Sequence, residues 1–198
     1  MNSPVLKVEK TTDKPFYKYG DIITYRIVLT QEQTGCVARN VTLQDVIDTQ
    51  GVRLLKDSVI LMDEKGNVAD ADVQINDDNT FLMSTGRTLV RDSRYSICDN
   101  DKGGLFEQVM YNPLDCQEQK SMIVEYQAAV IDAALAGQKV HNTAVADSSE
   151  KIPATGETET EVHSPILEIV KESDKKEYAS GEKGYYKLTV RQPVSYTH

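Results

Sequence analysis

Hydrophobic and polar residues alternate along several stretches of the chain, with the period of two that a half-buried β-strand requires. The clearest stretch is "DIITYRIVLTQ", residues 21–31, in which one apolar face is formed by Ile23, Tyr25, Ile27 and Leu29. Similar alternation occurs in residues 40–47 and 121–130, and weaker alternation in residues 157–162. The pattern therefore predicts at least four strands that each bury one face.

Turn-forming residues separate these stretches, and helical periodicity is almost absent. The motifs "KYGD", "DEKGN", "NDDNT", "NDKGG" and "YNPLD" each contain the Gly, Asn, Asp or Pro that tight turns need. Only "VIDAALAG" could form a turn or two of helix, and Gly137 would end it. The sequence therefore predicts an all-β sandwich.

An internal repeat gives the domain organisation. Residues 3–31 align without a gap on residues 164–192, and the identical positions include Ser3 and Ser164, Lys10 and Lys171, Asp13 and Asp174, Tyr17 and Tyr178, Gly20 and Gly181, and Tyr25 and Tyr186. We interpret residues 1–163 as one sandwich domain and residues 164–198 as the first strands of a second, truncated repeat in a tandem array. Two strands alone cannot close a sandwich.

The charge distribution excludes several classes of partner. The formal net charge is −9 and the acidic residues are scattered, whereas nucleic acids and anionic membranes require a clustered basic surface. No apolar stretch is long enough to span a membrane, and the N-terminus lacks the basic and apolar regions of a secretory signal. We therefore expect neither nucleic-acid binding nor membrane contact by this part of the protein.

Three predicted strands each have one polar residue on a face that is otherwise apolar, and the residues of such a face are called a row here. Lys10 ends the row that contains Leu6 and Val8, and Asp45 ends the row that contains Val41 and Leu43. Asn142 shares its row with the apolar residues Val140, Ala144 and Ala146. Burying any of these polar groups without a partner would cost roughly 1–3 kcal/mol for the amide and several for an ion.

If these three residues are buried together, they can react with one another. Burial favours the neutral amine of Lys10, which is a nucleophile, and the protonated form of Asp45, which can transfer protons. Attack of the amine on the side-chain carbonyl of Asn142 would release ammonia and leave an isopeptide bond. Such a crosslink is a self-catalysed, single-turnover reaction that needs no cofactor or metal. No second acid or nucleophile appears in a plausible cleft, so we do not expect an enzyme that acts on external substrates.

The pattern also resembles a known family. The segments "SPVLKVEKTTDK", "YGDIITYRIVLT", "ARNVTLQDVID" and "LAGQKVHNTAVAD" are similar to the tandem repeat domains of Gram-positive surface proteins and fimbrial (pilus) shaft subunits, which are immunoglobulin-like and of the collagen-adhesin type. The resemblance covers the first unit except residues 63–116. It implies an isopeptide bond between Lys10 and Asn142, with Asp45 as the assisting acid.

The resemblance further implies a role and a location. A structural stalk or shaft module would lie in the cell wall or fimbrium of a Gram-positive bacterium, and its partners would be neighbouring repeats and other pilus subunits. The alternative is an adhesin module that binds a host glycan or matrix protein through the middle insertion, residues 76–116.

Several residues have a second interpretation. Lys10 could be an exposed strand-end lysine and Asn142 a turn residue. Glu125 is the rival to Asp45 as the assisting acid, although its position in residues 121–130 predicts that it faces solvent. Cys98 and Cys116 could form a disulfide or simply pack.

We interpret two short motifs as ordinary loops or turns rather than as functional signals. We interpret "IPATG", residues 152–156, as a loop rather than a sortase signal, because a new repeat follows it instead of an apolar span. The acidic cluster "DNDKGG", residues 99–104, lacks the glutamate of a calcium loop and is interpreted as a solvated turn.

Overall fold

The structure, a computed structural model, describes residues 3–91, 118–163 and 167–191. The chain divides into two compact units, Met1–His163 and Ser164–His198. Among the described residues, no helix is long and apolar enough to cross a membrane. The strands of the first unit are β1 (Leu6–Thr12), β2 (Phe16–Tyr17), β3 (Ile22–Gln31), β4 (Val37–Ala38), β5 (Thr42–Ile47), β6 (Val52–Leu54), β7 (Ile60–Met62), β8 (Val68–Ala69), β9 (Asp72–Ile75), β10 (Thr80–Ser84), β11 (Thr88–Val90), β12 (Glu118–Gln119), β13 (Ser121–Val130), β14 (Lys139–Asp147) and β15 (Ala154–Val162).

Two large sheets face each other and form the sandwich. Sheet I has the strand order β1-β3-β13-β7-β8, with β6 also paired to β13, and sheet II has the order β2-β15-β14-β5-β10-β9. Most pairs are antiparallel, and β2 pairs with β15 in parallel. A small third sheet is formed by β12, β11 and β4. The prediction of an all-β sandwich is confirmed.

The core lies between sheets I and II and follows from the alternation of the strands. The apolar residues Ile23, Tyr25, Ile27 and Leu29 of β3 are fully buried, and they share one cluster with Leu43, Phe81 and Met83 of sheet II. Burial of each large apolar side chain stabilises the fold by about 1.5–3 kcal/mol. The period of two therefore fixes which face of each strand points inwards.

The short helix predicted near Gly137 is a single 3-10 turn, Ala133–Leu135. The carboxylate of Asp132 accepts a hydrogen bond from the backbone nitrogen of Ala134 (2.8 Å) and begins the turn. Gly137 then adopts a φ of +82°, a conformation that favours glycine, and the chain enters β14. A second 3-10 turn, Lys56–Ser58, precedes β7.

The described part of the second unit is a hairpin of β16 (Glu168–Ser173) and β17 (Tyr186–Arg191). Its register repeats that of the first hairpin, since Lys171 lies opposite Leu188 as Lys10 lies opposite Ile27. Most of its large apolar side chains are exposed: Leu167, Ile169, Tyr185, Tyr186, Leu188 and Val190.

Candidate functional site

Three polar side chains are buried together between the two sheets. Lys10 on β1 is 7% exposed, Asp45 on β5 is 0% exposed and Asn142 on β14 is 1% exposed. Each lies on the inward face of its strand, in the apolar row where the sequence places it. The structure therefore brings together the lysine, the aspartate and the asparagine that the sequence singles out.

Strand pairing positions the two residues of sheet II. In the antiparallel pair β5 and β14, Ala144 lies opposite Asp45 and Asn142 lies opposite Ile47. Asp45 and Asn142 are thus diagonal neighbours on one face, within reach of each other's side chains. Lys10 extends from β1, the edge strand of sheet I, across the core towards both.

The amine of Lys10 contacts both partners. Its Nζ donates hydrogen bonds to Oδ2 of Asp45 and to Oδ1 of Asn142, the latter at 2.6 Å. All three side chains are removed from solvent, so water does not compete for these contacts. The arrangement places an amine against a carboxamide carbonyl with a carboxyl group beside both.

A fourth polar group, the hydroxyl of Tyr126, completes the network. It donates to Oδ1 of Asp45 (2.6 Å) and accepts from Nδ2 of Asn142 (2.6 Å). Tyr126 lies on the inward face of β13, and the sequence alone did not single it out as a functional residue. The available signal was that a tyrosine in a fully buried row needs a hydrogen-bond partner for its hydroxyl.

Aromatic rings surround the amine. The Nζ of Lys10 lies 5.5 Å from the ring centroid of Tyr25 and 5.6 Å from that of Tyr126. These two rings stack at 5.0 Å, and Phe81 packs edge-on against Tyr126 at 5.1 Å. The rings give the site a low local polarity and fix the position of the Tyr126 hydroxyl.

Burial shifts the pKa values of the site towards neutral forms. It lowers the pKa of Lys10 to about 8, although the neighbouring Asp45 opposes the shift. Burial raises the pKa of Asp45, against the opposing charge and hydrogen bond of Lys10. Burial, together with the charge of Asp45, also raises the pKa of Tyr126 well above its ordinary value. Burial therefore favours a neutral amine and a protonated carboxyl group in this site.

Glu125, the rival acid, lies outside this site. It is on the opposite face of β13 and forms an ion pair with Arg26 of β3, with 30% of its side chain exposed. The alternation of β13 explains this placement, because Val124 and Tyr126 point into the core. The structure thus places Asp45, and not Glu125, beside Lys10.

The "IPATG" motif is a loop only at Ile152 and Pro153, and the interpretation was wrong for its last three residues. Ala154, Thr155 and Gly156 are the first residues of β15. A side chain at Gly156 would place its Cβ 2.6 Å from both Cγ1 and the carbonyl oxygen of Val8 on β1. Glycine is therefore needed where β15 approaches β1.

Other sequence interpretations concern residues that the structure does not describe. Cys98, Cys116 and the "DNDKGG" turn lie outside the described residues, as does most of the insertion at residues 76–116. Their pairing and any ligand binding stay predictions. Within residues 3–91, 118–163 and 167–191, no group of three or more His, Cys, Asp or Glu side chains could hold a metal ion.

The chain was compared with known proteins. Neither protein-family models nor curated protein sequences give a match. Solved structures do match, among them BcpA, the major pilin subunit of Bacillus cereus, at 12% identity and a TM-score of 0.50. That match covers 84% of this chain and 42% of the pilin, so the chain spans less than half the length of that protein.

Two further matches are another major pilin and a collagen-binding domain. The major pilin SpaD of Corynebacterium diphtheriae matches at 13% identity with a TM-score of 0.49, covering 89% of this chain and 39% of the pilin. A collagen-binding domain from a Staphylococcus aureus adhesin matches at 12% identity with a TM-score of 0.42, covering 76% of this chain and 99% of that domain.

The likeness to BcpA shows the fold, an all-β sandwich like that of a domain of this pilin. The resemblance noted in the sequence is confirmed at the level of the fold. At these identities the comparison carries no information on individual site residues, whose roles rest on the geometry above.

Proposed function

We propose that the first unit is a structural module of a bacterial cell-surface or pilus-type protein, stabilised by an isopeptide bond between Lys10 and Asn142. The observation that carries this proposal is the contact of the Lys10 amine with both Asp45 and the Asn142 carbonyl oxygen in a site closed to solvent. Burying a lysine and an aspartate as an ion pair seldom adds net stability, whereas a bond from Lys10 to Asn142 would stabilise the sandwich covalently.

The reaction exchanges one amide for another. The neutral Nζ of Lys10 attacks Cγ of Asn142, forming the new C–N bond and a tetrahedral intermediate. The bond from Cγ to Nδ2 then breaks, and Nδ2 leaves as ammonia. Nζ loses one proton and Nδ2 gains one, so the reaction is balanced. Asp45, protonated at the start, gives its proton towards Nδ2 and accepts the proton that Nζ releases, so it ends protonated as it began.

The geometry favours this attack over competing reactions. The Nζ lies 2.6 Å from Oδ1 of Asn142, and this oxygen is bonded directly to Cγ, the atom that is attacked. Reacting groups held this close gain effective concentration, and the exclusion of water prevents hydrolysis of the intermediate. The shifts of pKa described above supply the reactive protonation states.

The crosslink would suit a stalk. It joins β1 of sheet I to β14 of sheet II, so that tension along the chain passes through a covalent bond between the two sheets. The likeness of the fold to a major pilin subunit supports an extracellular location on a Gram-positive bacterium. Neighbouring repeats and other pilus subunits would be its partners.

Intact-mass measurement of the purified chain tests the proposal. We expect a mass lower than that of the sequence by one ammonia, and peptide sequencing by mass spectrometry should locate the crosslink at Lys10 and Asn142. Asp45→Ala should restore the full mass because it removes the proton acceptor. Glu125→Ala is the matched control and should keep the ammonia loss, since Glu125 lies outside the site. An unmodified mass for the natural sequence would refute the crosslink.

A further inference from the structure

The structure contains a proton donor for the nitrogen that leaves. We propose that Tyr126 is a catalytic residue of the crosslinking reaction, whose hydroxyl protonates Nδ2 of Asn142 as ammonia departs. This inference rests on the proposed function and adds a residue and a proton path to it.

The contacts of the hydroxyl point to this role. Tyr126 touches the leaving nitrogen directly, through the 2.6 Å contact from Nδ2 to its hydroxyl oxygen. It also touches the carboxyl group through the 2.6 Å contact to Oδ1 of Asp45. The other carboxyl oxygen, Oδ2, faces the amine of Lys10. The two oxygens of Asp45 therefore connect the attacking nitrogen to the leaving nitrogen by way of Tyr126.

The chemistry requires a donor at this position. An amide nitrogen does not leave as an anion, so Nδ2 must gain a proton before the Cγ–Nδ2 bond breaks. In the planar amide Nδ2 is only a donor, and it donates to Tyr126. In the tetrahedral intermediate Nδ2 has a lone pair, and the same contact can then operate in the reverse direction.

The resulting relay moves one proton through three steps. As Lys10 attacks, Nζ gives a proton to Oδ2 of Asp45. The carboxyl group of Asp45, which is protonated on Oδ1 before the attack, gives that proton to the oxygen of Tyr126, and the hydroxyl of Tyr126 gives its own proton to Nδ2. Both contacts of the hydroxyl thus run in the direction opposite to that of the resting site. Asp45 and Tyr126 end in the protonation states in which they began, and the products are the isopeptide bond and ammonia. The relay needs no water and no group from outside the protein.

The hydroxyl is not required for packing. The ring of Tyr126 makes the contacts with Tyr25 and Phe81, and phenylalanine would preserve them. A buried hydroxyl lowers stability unless it is hydrogen-bonded, and here both of its bonds are to the reacting network.

Tyr17 provides a matched control. It is fully buried, and its hydroxyl donates to Oδ1 of Asp13 at 2.6 Å and accepts from the backbone nitrogen of Lys14 at 2.9 Å. Tyr17→Phe therefore removes the same kind of hydrogen bonds from a buried tyrosine, but the reacting residues keep their contacts. It reports the effect of losing such a hydroxyl on folding alone.

The rate of ammonia loss in the full chain is the decisive measurement. The chain is pulse-labelled during cell-free synthesis, and the crosslinked form is followed over time by intact mass and by its mobility on denaturing gels. We expect Tyr126→Phe to slow crosslinking by about a hundredfold or more, the usual loss when a general acid is removed. Tyr17→Phe should react within about twofold of the natural chain.

The outcomes separate this inference from the proposed function. A Tyr126→Phe rate equal to that of Tyr17→Phe would overturn the role of Tyr126 while the crosslink stands. No ammonia loss in the natural chain would overturn both. If Tyr126→Phe does not fold, judged by its β-sheet circular dichroism, 3-fluorotyrosine placed at position 126 decides. Its more acidic phenol should accelerate proton donation, and an unchanged rate would overturn the inference.

Discussion

Two hairpins of this protein have nearly the same local structure and very different surroundings. Asp13 in the turn region of the first hairpin accepts hydrogen bonds from the hydroxyl of Tyr17 and the backbone of Thr24. Asp174 in the second accepts the same two bonds from Tyr178 and Tyr185. Gly20 and Gly181 share a φ of +87°, and the strand registers coincide. Each segment therefore encodes its own hairpin.

The two lysines on these hairpins differ because their neighbours differ. Lys10 is buried against Asp45 and Asn142 of sheet II. Lys171 is exposed, and its Nζ lies 4.4 Å from the ring centroid of Tyr186 on its own hairpin. The comparison shows that the hairpin supplies the amine, whereas β5, β13 and β14 supply the burial and the partners that make it reactive.

The largest expected effect is an all-or-none difference between these lysines. Lys10→Met should abolish ammonia loss, because the nucleophile is removed from the buried site. Lys171→Met should leave the loss of one ammonia intact, because an exposed amine has no carboxamide held against it. Intact mass of the two variants checks both statements. Ammonia loss in Lys10→Met, or its absence in Lys171→Met, would contradict the assignment.

The next effect is on stability. Lys10 and Asn142 are 132 positions apart in the chain, and closing a loop of that size lowers the entropy of the unfolded state by an amount worth about 5 kcal/mol, by analogy with disulfides. The double variant Lys10→Met with Asp45→Asn lacks the crosslink but leaves no unpaired buried charge. Urea unfolding should show its free energy of unfolding reduced by about 5 kcal/mol.

Lys171→Met is the control for that measurement, since it also removes one lysine but keeps the crosslink. Its free energy of unfolding should stay within about 0.5 kcal/mol of the natural chain, as is usual for surface substitutions. Equal stabilities for the double variant and this control would contradict a covalent constraint in the first unit.

The third effect is mechanical and follows from where Asn142 lies. β14 is followed by β15 in the first unit, so residues 142–163 and 3–10 remain outside the closed loop. Under tension these segments can extend by at most about 100 Å, whereas the unit without a crosslink can extend by about 550 Å. Single-molecule pulling of the natural chain and of Lys10→Met should show these two limits. An extension near the larger value in the crosslinked chain would contradict the covalent path.

Strand periodicity accounts for what could be predicted. The period of two places Lys10, Asp45 and Asn142 on inward faces, and the same rule turns Glu125 outwards. It does not specify which inward residues of one sheet meet those of the other. The bridge from Tyr126 to Asp45 and Asn142 depends on that packing of sheet on sheet, and so it was missed.

The strand residues of the "IPATG" segment were misassigned for the same reason, because the sequence does not show which distant strands come into contact. Gly156 suggests a turn when it is read along the chain, but its small size serves the contact of β15 with β1 across the sandwich. Its strand partner is Ala144, which in turn pairs with Asp45, so small residues lie next to the carboxylate on sheet II. Local sequence does not show that a glycine is needed for the approach of a distant strand.

The smallest expected effect tests this close approach. Gly156→Ala should slow crosslinking by several-fold, because its Cβ would meet Cγ1 and the carbonyl oxygen of Val8 at 2.6 Å and displace β1, which also carries Lys10. Overpacking of this kind costs about 1–3 kcal/mol. The pulse-labelled chain gives the rate, and Thr155→Ala, on the exposed face of β15, should react normally.

A second substitution sharpens the test. Val8→Ala added to Gly156→Ala removes the Cγ1 contact but not the contact with the carbonyl oxygen, so the rate should recover in part. The equivalent residue of the second hairpin, Ile169, is 65% exposed, and Ile169→Ala should leave the rate of the first unit unchanged. If Gly156→Ala reacts at the full rate, β1 can accommodate the added methyl group. The position of the Lys10 amine is then set by its polar partners rather than by the backbone contact between β15 and β1.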